Sequence, residues 1–483
     1  MKNSKLVRLL RKLSKEERQR FQVYLQSPYC NPHPRLCNLY EAILKYAPDF
    51  EHKKLSKAQL QKQLYGDKAY REQKIADEIS LLYRRLKDFL GAERQKQESL
   101  ADETDSLQAL SEKGLNDLFE IEFRRLEKGL LQRPFLDETY HRQQLALAGA
   151  RNDHFGRQHL RTQHEGLEKK HQALDQYYLA VKLRESCEAL NRQHIINTEI
   201  PILLTDVLIQ SLSEADHPYR KIPVIDVYFH IYQALAHPES EQHYEQMLDI
   251  LDMYTSFFAP EESRAMYKYA QNSCIRRINQ GAEGYEEKLF GLYQTLIGNQ
   301  LIFFEGELAH TDYKNIVSLA LKLGKLDWAH EFLHGFAERL APTFQENAFR
   351  YAQAAYLTEK GETKQALNLL NAISYTDVFY QLSARILMLR IYYQLEDFDS
   401  MAYQINAFRH FLGRNKEIEK DKRNQYLQYL SWLKKVARLA EQRHLEAQSK
   451  WLSRQQKLQN DFAEAAPMVQ RSWLEKELRQ AFS

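Results

Sequence analysis

Three stretches of the sequence share one pattern: KNIVSLALKLGKLDWAHEFLHGF (314–336), AFRYAQAAYLTEKGETKQALNLLNAI (348–373) and ARILMLRIYYQLEDFDSMAYQINAF (384–408). Each begins with a helix-length run whose apolar residues are three and four positions apart, which is typical of an amphipathic helix. Each then breaks, and the breaks are 37 and 35 residues apart. A repeat of this length predicts stacked two-helix units, because one unit alone cannot bury its apolar face.

The turn of each copy predicts where its two helices meet. Gly324, Gly361 and Glu396 occupy the break, and a small or flexible side chain follows five positions later, as with Ala329 and Met401. With a Gly at the turn and an Ala early in the second helix, the first two copies resemble the tetratricopeptide repeat. The third copy departs from that pattern at Glu396 and Met401. The resemblance implies an all-α fold, an α-solenoid of stacked antiparallel helix pairs.

Composition agrees with a helical chain. Only 16 Gly and 12 Pro occur among 483 residues, which argues against a β-rich or loop-rich protein. The four Cys form no CxxC pair, so we expect a reduced, cytoplasmic setting. The N-terminus is basic without an uninterrupted apolar stretch, so it does not predict a signal peptide, and no apolar run is long enough to cross a membrane.

Charge is segregated along the chain. Residues 1–100 have a net charge of +10, residues 101–408 of −14, residues 409–460 of +8 and residues 461–483 of −1. This pattern is compatible with differently solvated helix faces, with a polyanion bound at the basic ends, or with ends that dock on the acidic middle.

Three segments are predicted from these patterns. A basic N-terminal helical module spans 1–98 and ends in the polar stretch 95–106. The helical-repeat solenoid spans 107–460, with its best repeats at 313–412, and residues 461–483 form a C-terminal capping helix. These segments would hold helices throughout and almost no strand.

Two helix boundaries remain open in the sequence. Residues 5–26 read as one amphipathic helix, or as two with a restart at the capping box of Ser14 and Glu17. Residues 156–194 read as one long helix, or as a pair broken at Gly166. Within the latter stretch, four apolar residues seven apart predict a helix packed along another: Leu160, Leu167, Leu174 and Val181.

The repeat resemblance implies a function in binding another protein or peptide. Tetratricopeptide arrays bind partners on a concave surface lined by the first helix of each pair, and the corresponding residues here are Lys314, Tyr351 and Arg390. The family's two-carboxylate clamp is not reproduced, because Ser383 and Leu387 stand where basic groups are required. We therefore expect a non-enzymatic scaffold or adaptor, without cofactor or metal, whose partner is not identified.

A zinc-dependent hydrolase is one alternative. The motif HEFLH places His330 and His334 on one face of a helix, where they can bind zinc with Glu331 as general base. A third ligand is required, for which Glu359 and Glu362 are candidates.

Other metal-ligating patterns are weaker. Cys30, His33 and Cys37 have a spacing that suits three zinc ligands, without a fourth in register. Glu-x-x-His pairs of the kind used by di-iron bundles lie on highly charged helices, whereas such sites need an apolar interior. These pairs are Glu138/His141, Glu168/His171 and Glu441/His444.

A nucleic-acid-binding regulator is the other alternative. The segments LSKAQLQKQLYG (55–66) and ISLLYRRLKDFL (79–90) resemble the DNA-binding helices of response-regulator-type winged helices. That resemblance implies phosphate or base contacts by Arg84, Arg85 and Lys87. The β-hairpin wing of that family has no counterpart in the sequence that follows Gly91.

Overall fold

The structure is a computed structural model that describes residues 4–52, 55–66, 72–97, 99–158, 165–196, 198–214, 216–373, 378–415, 417–444 and 447–480. It is 79% helical, and the described residues form 23 α-helices, four short 3-10 helices and one two-stranded hairpin. The predicted all-α class is therefore confirmed. Among the described residues, no helix combines the length and the apolar character needed to cross a membrane.

The helices follow one another along the whole chain. Their bounds are α1 Lys5–Leu10, α2 Lys15–Gln26, α3 Arg35–Leu44, α4 Lys57–Tyr65, α5 Glu72–Gln97, α6 Ser99–Glu112, α7 Asn116–Leu131, α8 Glu138–Arg157, α9 Glu165–Ile196, α10 Thr205–Leu212, α11 Pro223–Ala236, α12 Glu241–Tyr254, α13 Pro260–Asn279, α14 Tyr285–Gly298, α15 His310–Lys322, α16 Leu326–Gly335, α17 Pro342–Glu359, α18 Thr363–Asn371, α19 Val378–Gln394, α20 Phe398–Arg414, α21 Lys420–Glu441, α22 Gln448–Ala463 and α23 Arg471–Gln480. Strands β1 Phe303–Phe304 and β2 Glu307–Leu308 pair antiparallel.

The chain divides into two compact units. The first comprises residues 1–189, 198–232 and 256–258, and the second comprises residues 190–197, 233–255 and 259–483. Each unit has buried apolar clusters of its own, so we describe each unit separately.

The first unit begins with helices α1–α5 around one core. Ser14 and Glu17 form a reciprocal capping box, which ends the ambiguity of residues 5–26 in favour of two helices, α1 and α2. Leu10, Phe21, Tyr40 and other apolar side chains of these helices are fully buried together. The polar stretch 95–106, predicted as a module boundary, is helical at 95–97 in α5 and from residue 99 onward in α6.

Two helices, α8 and α9, occupy the region whose helix count the sequence left open. Helix α8 ends at Arg157, with Gln158 as its C-cap, and Gly166 lies inside α9, so the predicted break at Gly166 is wrong. The predicted packing of the sevenfold stripe along another helix is wrong for Leu167 and Leu174, which are 50% and 47% exposed. Leu160 lies outside the described residues.

The second unit contains the three predicted helix pairs: α15 with α16, α17 with α18, and α19 with α20. All three turns have the same hydrogen bonds. The turn residue donates its N–H to the carbonyl three positions earlier, and the next residue donates to the carbonyl five positions before it. This is the Schellman motif, which needs a left-handed residue at the turn. Gly324, Gly361 and Glu396 supply it with φ of 71°, 82° and 54°.

Five positions after each turn residue, a small or flexible side chain is buried. Ala329, Ala366 and Met401 are all buried. Farther along the chain, α21–α23 contribute Tyr429, Trp451 and other side chains to an apolar cluster that also includes α19 and α20. The turns of the three copies therefore lie at the predicted residues, including the less regular turn at Glu396.

Candidate functional site

The three residues predicted to bind a partner contact other residues of the chain itself. The Lys314 ammonium lies 3.1 Å from Ser383 Oγ and 5.4 Å from the centre of the Tyr380 ring. Tyr351 is only 8% exposed and meets the Tyr380 ring edge-on at 5.7 Å. Burial raises the pKa of Tyr351 to about 12. Because Tyr380 on α19 lies against both residues, helices α15, α17 and α19 meet here.

The third predicted residue, Arg390, is held at the other end of α19. Its guanidinium lies 3.2 Å from the Glu359 carboxylate and 5.5 Å from the centre of the Trp473 ring, which belongs to α23. The side chains that the repeat resemblance assigns to a binding surface are thus in contact with other parts of the second unit.

His330, Glu331 and His334 of the HEFLH motif lie on the exposed face of α16, whereas Phe332 and Leu333 are buried. The rings of His330 and His334 are 4.6 Å apart, and they lie 5.3 Å from Tyr356 and 5.4 Å from Phe349, respectively. Both histidines are exposed. Each histidine of this pair thus contacts an aromatic side chain.

The proposed third ligands of that motif have other partners. Glu359 pairs with Arg390, and Glu362 lies 3.6 Å from the Lys360 ammonium. Among the described residues, no group of three or more His, Cys, Asp or Glu side chains is arranged to hold a metal ion.

The remaining metal-ligand patterns also contact protein groups. The Cys37 thiol donates to the Leu25 carbonyl at 3.1 Å, and Cys30 is a free cysteine. Glu138 forms an ion pair with Arg184 on α9, and His141 is buried. The contacts of Cys37 and Glu138 join helices within the first unit.

The basic residues predicted to contact DNA lie on α5. Arg84 and Lys87 are exposed, whereas Arg85 is partly buried and pairs with Asp88 at 3.1 Å. Within the described residues 4–97, all secondary structure is helical, so the strands that a winged helix places around its recognition helix are not found in that part of the chain.

A surface cleft lies elsewhere, in the first unit. Helices α7, α8 and α9 line an open cleft of about 430 Å³. Each helix contributes residues at spacings of three and four, so one face of each helix turns toward the cleft. The lining comprises Glu120, Phe123, Arg124, Glu127, Leu130 and Leu131 of α7, Tyr140, Gln144, Leu147, Ala148, Arg151 and Phe155 of α8, and Gly166, Lys169, Gln172, Ala173 and Gln176 of α9. We call it the α7–α9 groove.

The floor of the α7–α9 groove is apolar. Phe123, Leu130, Leu147 and Ala173 are buried beneath it. Leu131, at one end, is 72% exposed. Lining residues of α8 run from position 140 to position 155, which at 1.5 Å per residue is about 22 Å, or roughly four helical turns. An apolar floor of this length with a solvent-exposed leucine at its end is a surface that another molecule can cover.

Arginine and glycine set the shape of the groove. The Arg151 guanidinium lies 4.8 Å from the Phe123 ring centre and 4.4 Å from that of Phe155, and it forms an ion pair with Glu120. These contacts hold α7 and α8 together. A Cβ on Gly166 would lie 2.9 Å from the Phe155 ring, so a glycine there allows α9 to approach α8 closely.

The rim of the groove is polar and charged. Arg124 and Glu127 on α7 and Lys169 on α9 are exposed. Two ion pairs fix α9 to α8 beside the groove, Lys170 with Asp153 at 3.6 Å and Arg184 with Glu138. An apolar centre with a charged rim is the anatomy of protein interfaces, in which the rim contributes orientation more than affinity.

Sequence reasoning missed this groove. Helix faces at positions 120–131 and 140–155 carry mixed polar and apolar residues, without the strong apolar stripe of the repeats. The sequence feature that indicates it is a small set of apolar residues: Phe123 and Leu130, seven positions apart on α7, and Leu147 on α8. Periodicity does not show which of these faces stays open, because that depends on how three helices pack.

Comparison with known proteins gives no match: no family model, no curated protein and no solved structure resembles the chain significantly.

Proposed function

We propose that this protein is a non-enzymatic scaffold that binds an amphipathic α-helix of another protein in the α7–α9 groove. The observation that carries the proposal is the α7–α9 groove, which has an apolar floor, is lined by one face each of three helices, and extends about 22 Å along α8. The floor matches about four turns of a bound helix, whose apolar residues at i, i+3, i+4 and i+7 would cover it.

The backbone of the groove favours a helical ligand over an extended one. An extended peptide gains affinity by adding a strand to an exposed sheet edge. The walls here are α-helices, whose interior backbone groups already pair within each helix. A ligand must therefore satisfy its own backbone, which a helix does.

Charges at the rim indicate the flanks of that ligand. Arg124 and Lys169 stand on α7 and α9, opposite flanks of the lining, with Glu127 as the acidic rim residue of α7. Acidic residues beside the apolar face of the ligand would complement the two cations. Such exposed charges affect the rate of association and orientation more than the final affinity.

The proposal includes the architecture of the second unit. Its three Schellman-linked helix pairs, with Ala329 and Ala366 buried at their crossings, support a tetratricopeptide-like stack. We assign Lys314, Tyr351 and Arg390 to the internal packing of that stack rather than to the primary partner contact. The four free cysteines suit a reducing, cytoplasmic setting.

A peptide selection with matched variants tests the function. The intact protein is used to select binders from a displayed library of helical peptides, and affinities are measured by fluorescence anisotropy. We expect peptides with apolar residues at i, i+3, i+4 and i+7 and micromolar affinity. Ala148→Arg places a charge in the groove and should abolish binding.

The control is Ala146→Arg, on an exposed position of the same helix that does not line the groove. It should bind like the parent, and circular dichroism should show both variants folded. Selected peptides without helical periodicity, or equal binding by the two variants, would refute the proposal.

A further inference from the structure

A second pocket, in the second unit, is polar rather than apolar. It has a volume of about 340 Å³ and lies where the last turns of α9 and α13 approach each other. Its lining comprises Asn191, His194, Ile195, Leu235, Asn272, Ser273, Ile275, Arg276, Asn279 and Gln280. Five of these side chains, at positions 272, 273, 276, 279 and 280, share one face of α13 and its C-cap, as their spacing requires. We call it the Arg276 pocket.

Arg276 has hydrogen-bonding capacity that the described protein groups leave unused. Its Nε and Nη2 atoms are buried and have no hydrogen-bond partner among the described residues. A guanidinium remains charged in proteins and only donates hydrogen bonds. Because a buried donor without an acceptor destabilises the fold, and a charged donor more than a neutral one, these two nitrogens favour a ligand with acceptor oxygens.

Ser273 provides a second, independent donor. It lies one turn before Arg276 on α13 and is only 3% exposed. Its hydroxyl has no hydrogen-bond partner among the described residues. A buried serine on a helix commonly bonds the carbonyl four residues earlier, so a hydroxyl without that bond is available to a group in the pocket.

The neighbouring side chains add polarity without adding a carboxylate to the lining. Asn272 donates its amide to Asn191 Oδ1 at 3.0 Å, which joins α13 to α9. Burial, and then the charge of Arg276, lower the pKa of His194, which favours the uncharged imidazole. Asn279 and Gln280 are exposed at the mouth.

The charge balance at the pocket remains positive. Arg277, beside Arg276, donates to the Ser240 carbonyl at 2.9 Å and to the Tyr285 hydroxyl, both uncharged acceptors. The C-termini of α9 and α13, each equivalent to about half a negative charge, partly offset the positive charges of these two arginines. The Glu239 carboxylate also acts on Arg276, but its side chain is 77% exposed and hence screened by solvent.

From this arrangement we infer that the Arg276 pocket binds a small organic anion through a carboxylate or phosphate group. The planar guanidinium suits either group, because both present paired oxygens to its N–H donors. The volume of the pocket lies within the range of small-molecule sites. Arg276 and Ser273 would bind the ligand, and the side-chain amides of Asn191 on α9 and Asn272 on α13 would lie beside it.

A thermal-shift titration of the full chain tests the inference. Inorganic phosphate and succinate are titrated separately at constant ionic strength, and the melting temperature is followed for the parent, Arg276→Gln and the control Arg409→Gln. Arg409 is an exposed arginine of α20 in the same unit. We expect a saturable rise with at least one anion, kept in Arg409→Gln and lost in Arg276→Gln. The anion that produces it identifies the chemical class.

The melting temperature without anion gives a second readout. Because Arg276→Gln removes a buried cation without a partner, this variant should melt at the same temperature as the parent or higher. If Arg276 instead stabilised the fold, the variant would melt at a lower temperature. Ser273→Ala should fold normally and bind the same anion more weakly, by about tenfold. A rise that does not saturate with either anion, or one that Arg276→Gln retains, would overturn the inference.

Discussion

The third helix-pair turn allows a test in which replacing a residue should stabilise the protein. Glu396 has φ of 54°, in the left-handed region that a side chain with a Cβ disfavours by about 1–2 kcal/mol. Gly324 and Gly361 hold the equivalent position in the first two pairs. Glu396→Gly removes this strain.

The expected gain is smaller than the strain itself. Glycine has more freedom in the unfolded chain, which costs about 0.5–1 kcal/mol on folding. The net stabilisation should therefore be about 0.5–1 kcal/mol. Both turn hydrogen bonds, Glu396 N–H to Tyr393 O and Asp397 N–H to Tyr392 O, are 3.0 Å long and involve only backbone, so the substitution keeps them.

Urea unfolding followed by circular dichroism measures the difference as a shift in midpoint at unchanged slope. The matched control is Glu464→Gly, at the C-cap of α22, where φ is −88° and no strain is relieved. That variant should lose about 0.5–1 kcal/mol. If Glu396→Gly loses as much stability as Glu464→Gly, the assignment of a strained left-handed turn to the third pair is wrong.

Two other predictions follow from buried positions. Ala366 on α18 is fully buried, so Ala366→Arg places a charge in the protein interior and should lower the free energy of unfolding, measured in urea, by about 3–5 kcal/mol. The control Ala402→Arg, on the exposed face of α20, should change it by less than about 0.5 kcal/mol. Burial lowers the pKa of the His141 side chain, so below about pH 6.5 this histidine binds a proton in the unfolded chain but not in the folded chain. As the pH decreases from 6.5 to the lowered pKa, the free energy of unfolding should therefore decrease by up to about 1.4 kcal/mol per pH unit. His141→Leu should flatten that part of the stability curve, while His171→Leu, at an exposed position of α9, should not; equal curves for the two variants would contradict the assigned role of His141.

Local features of the sequence determined the helices and their turns. The capping box of Ser14 and Glu17, the breaks at Gly324 and Gly361, and the placement of Ala366 five residues after its turn depend on interactions within a few residues. Such interactions are encoded by spacing and by backbone preference, so a sequence displays them directly. Even Glu396, an atypical turn residue, lies at a turn where its spacing from Gly324 and Gly361 predicts one.

The tertiary structure decided which helix faces are covered and which are open. Leu167 and Leu174 have the spacing of a buried stripe and are exposed, whereas Tyr351, assigned to a binding surface, is buried under Tyr380. Asn191 and Arg276 lie 85 positions apart and line one pocket. An amphipathic pattern shows that a face prefers burial, but the partner that covers it is set by the packing of distant segments, which no local spacing encodes.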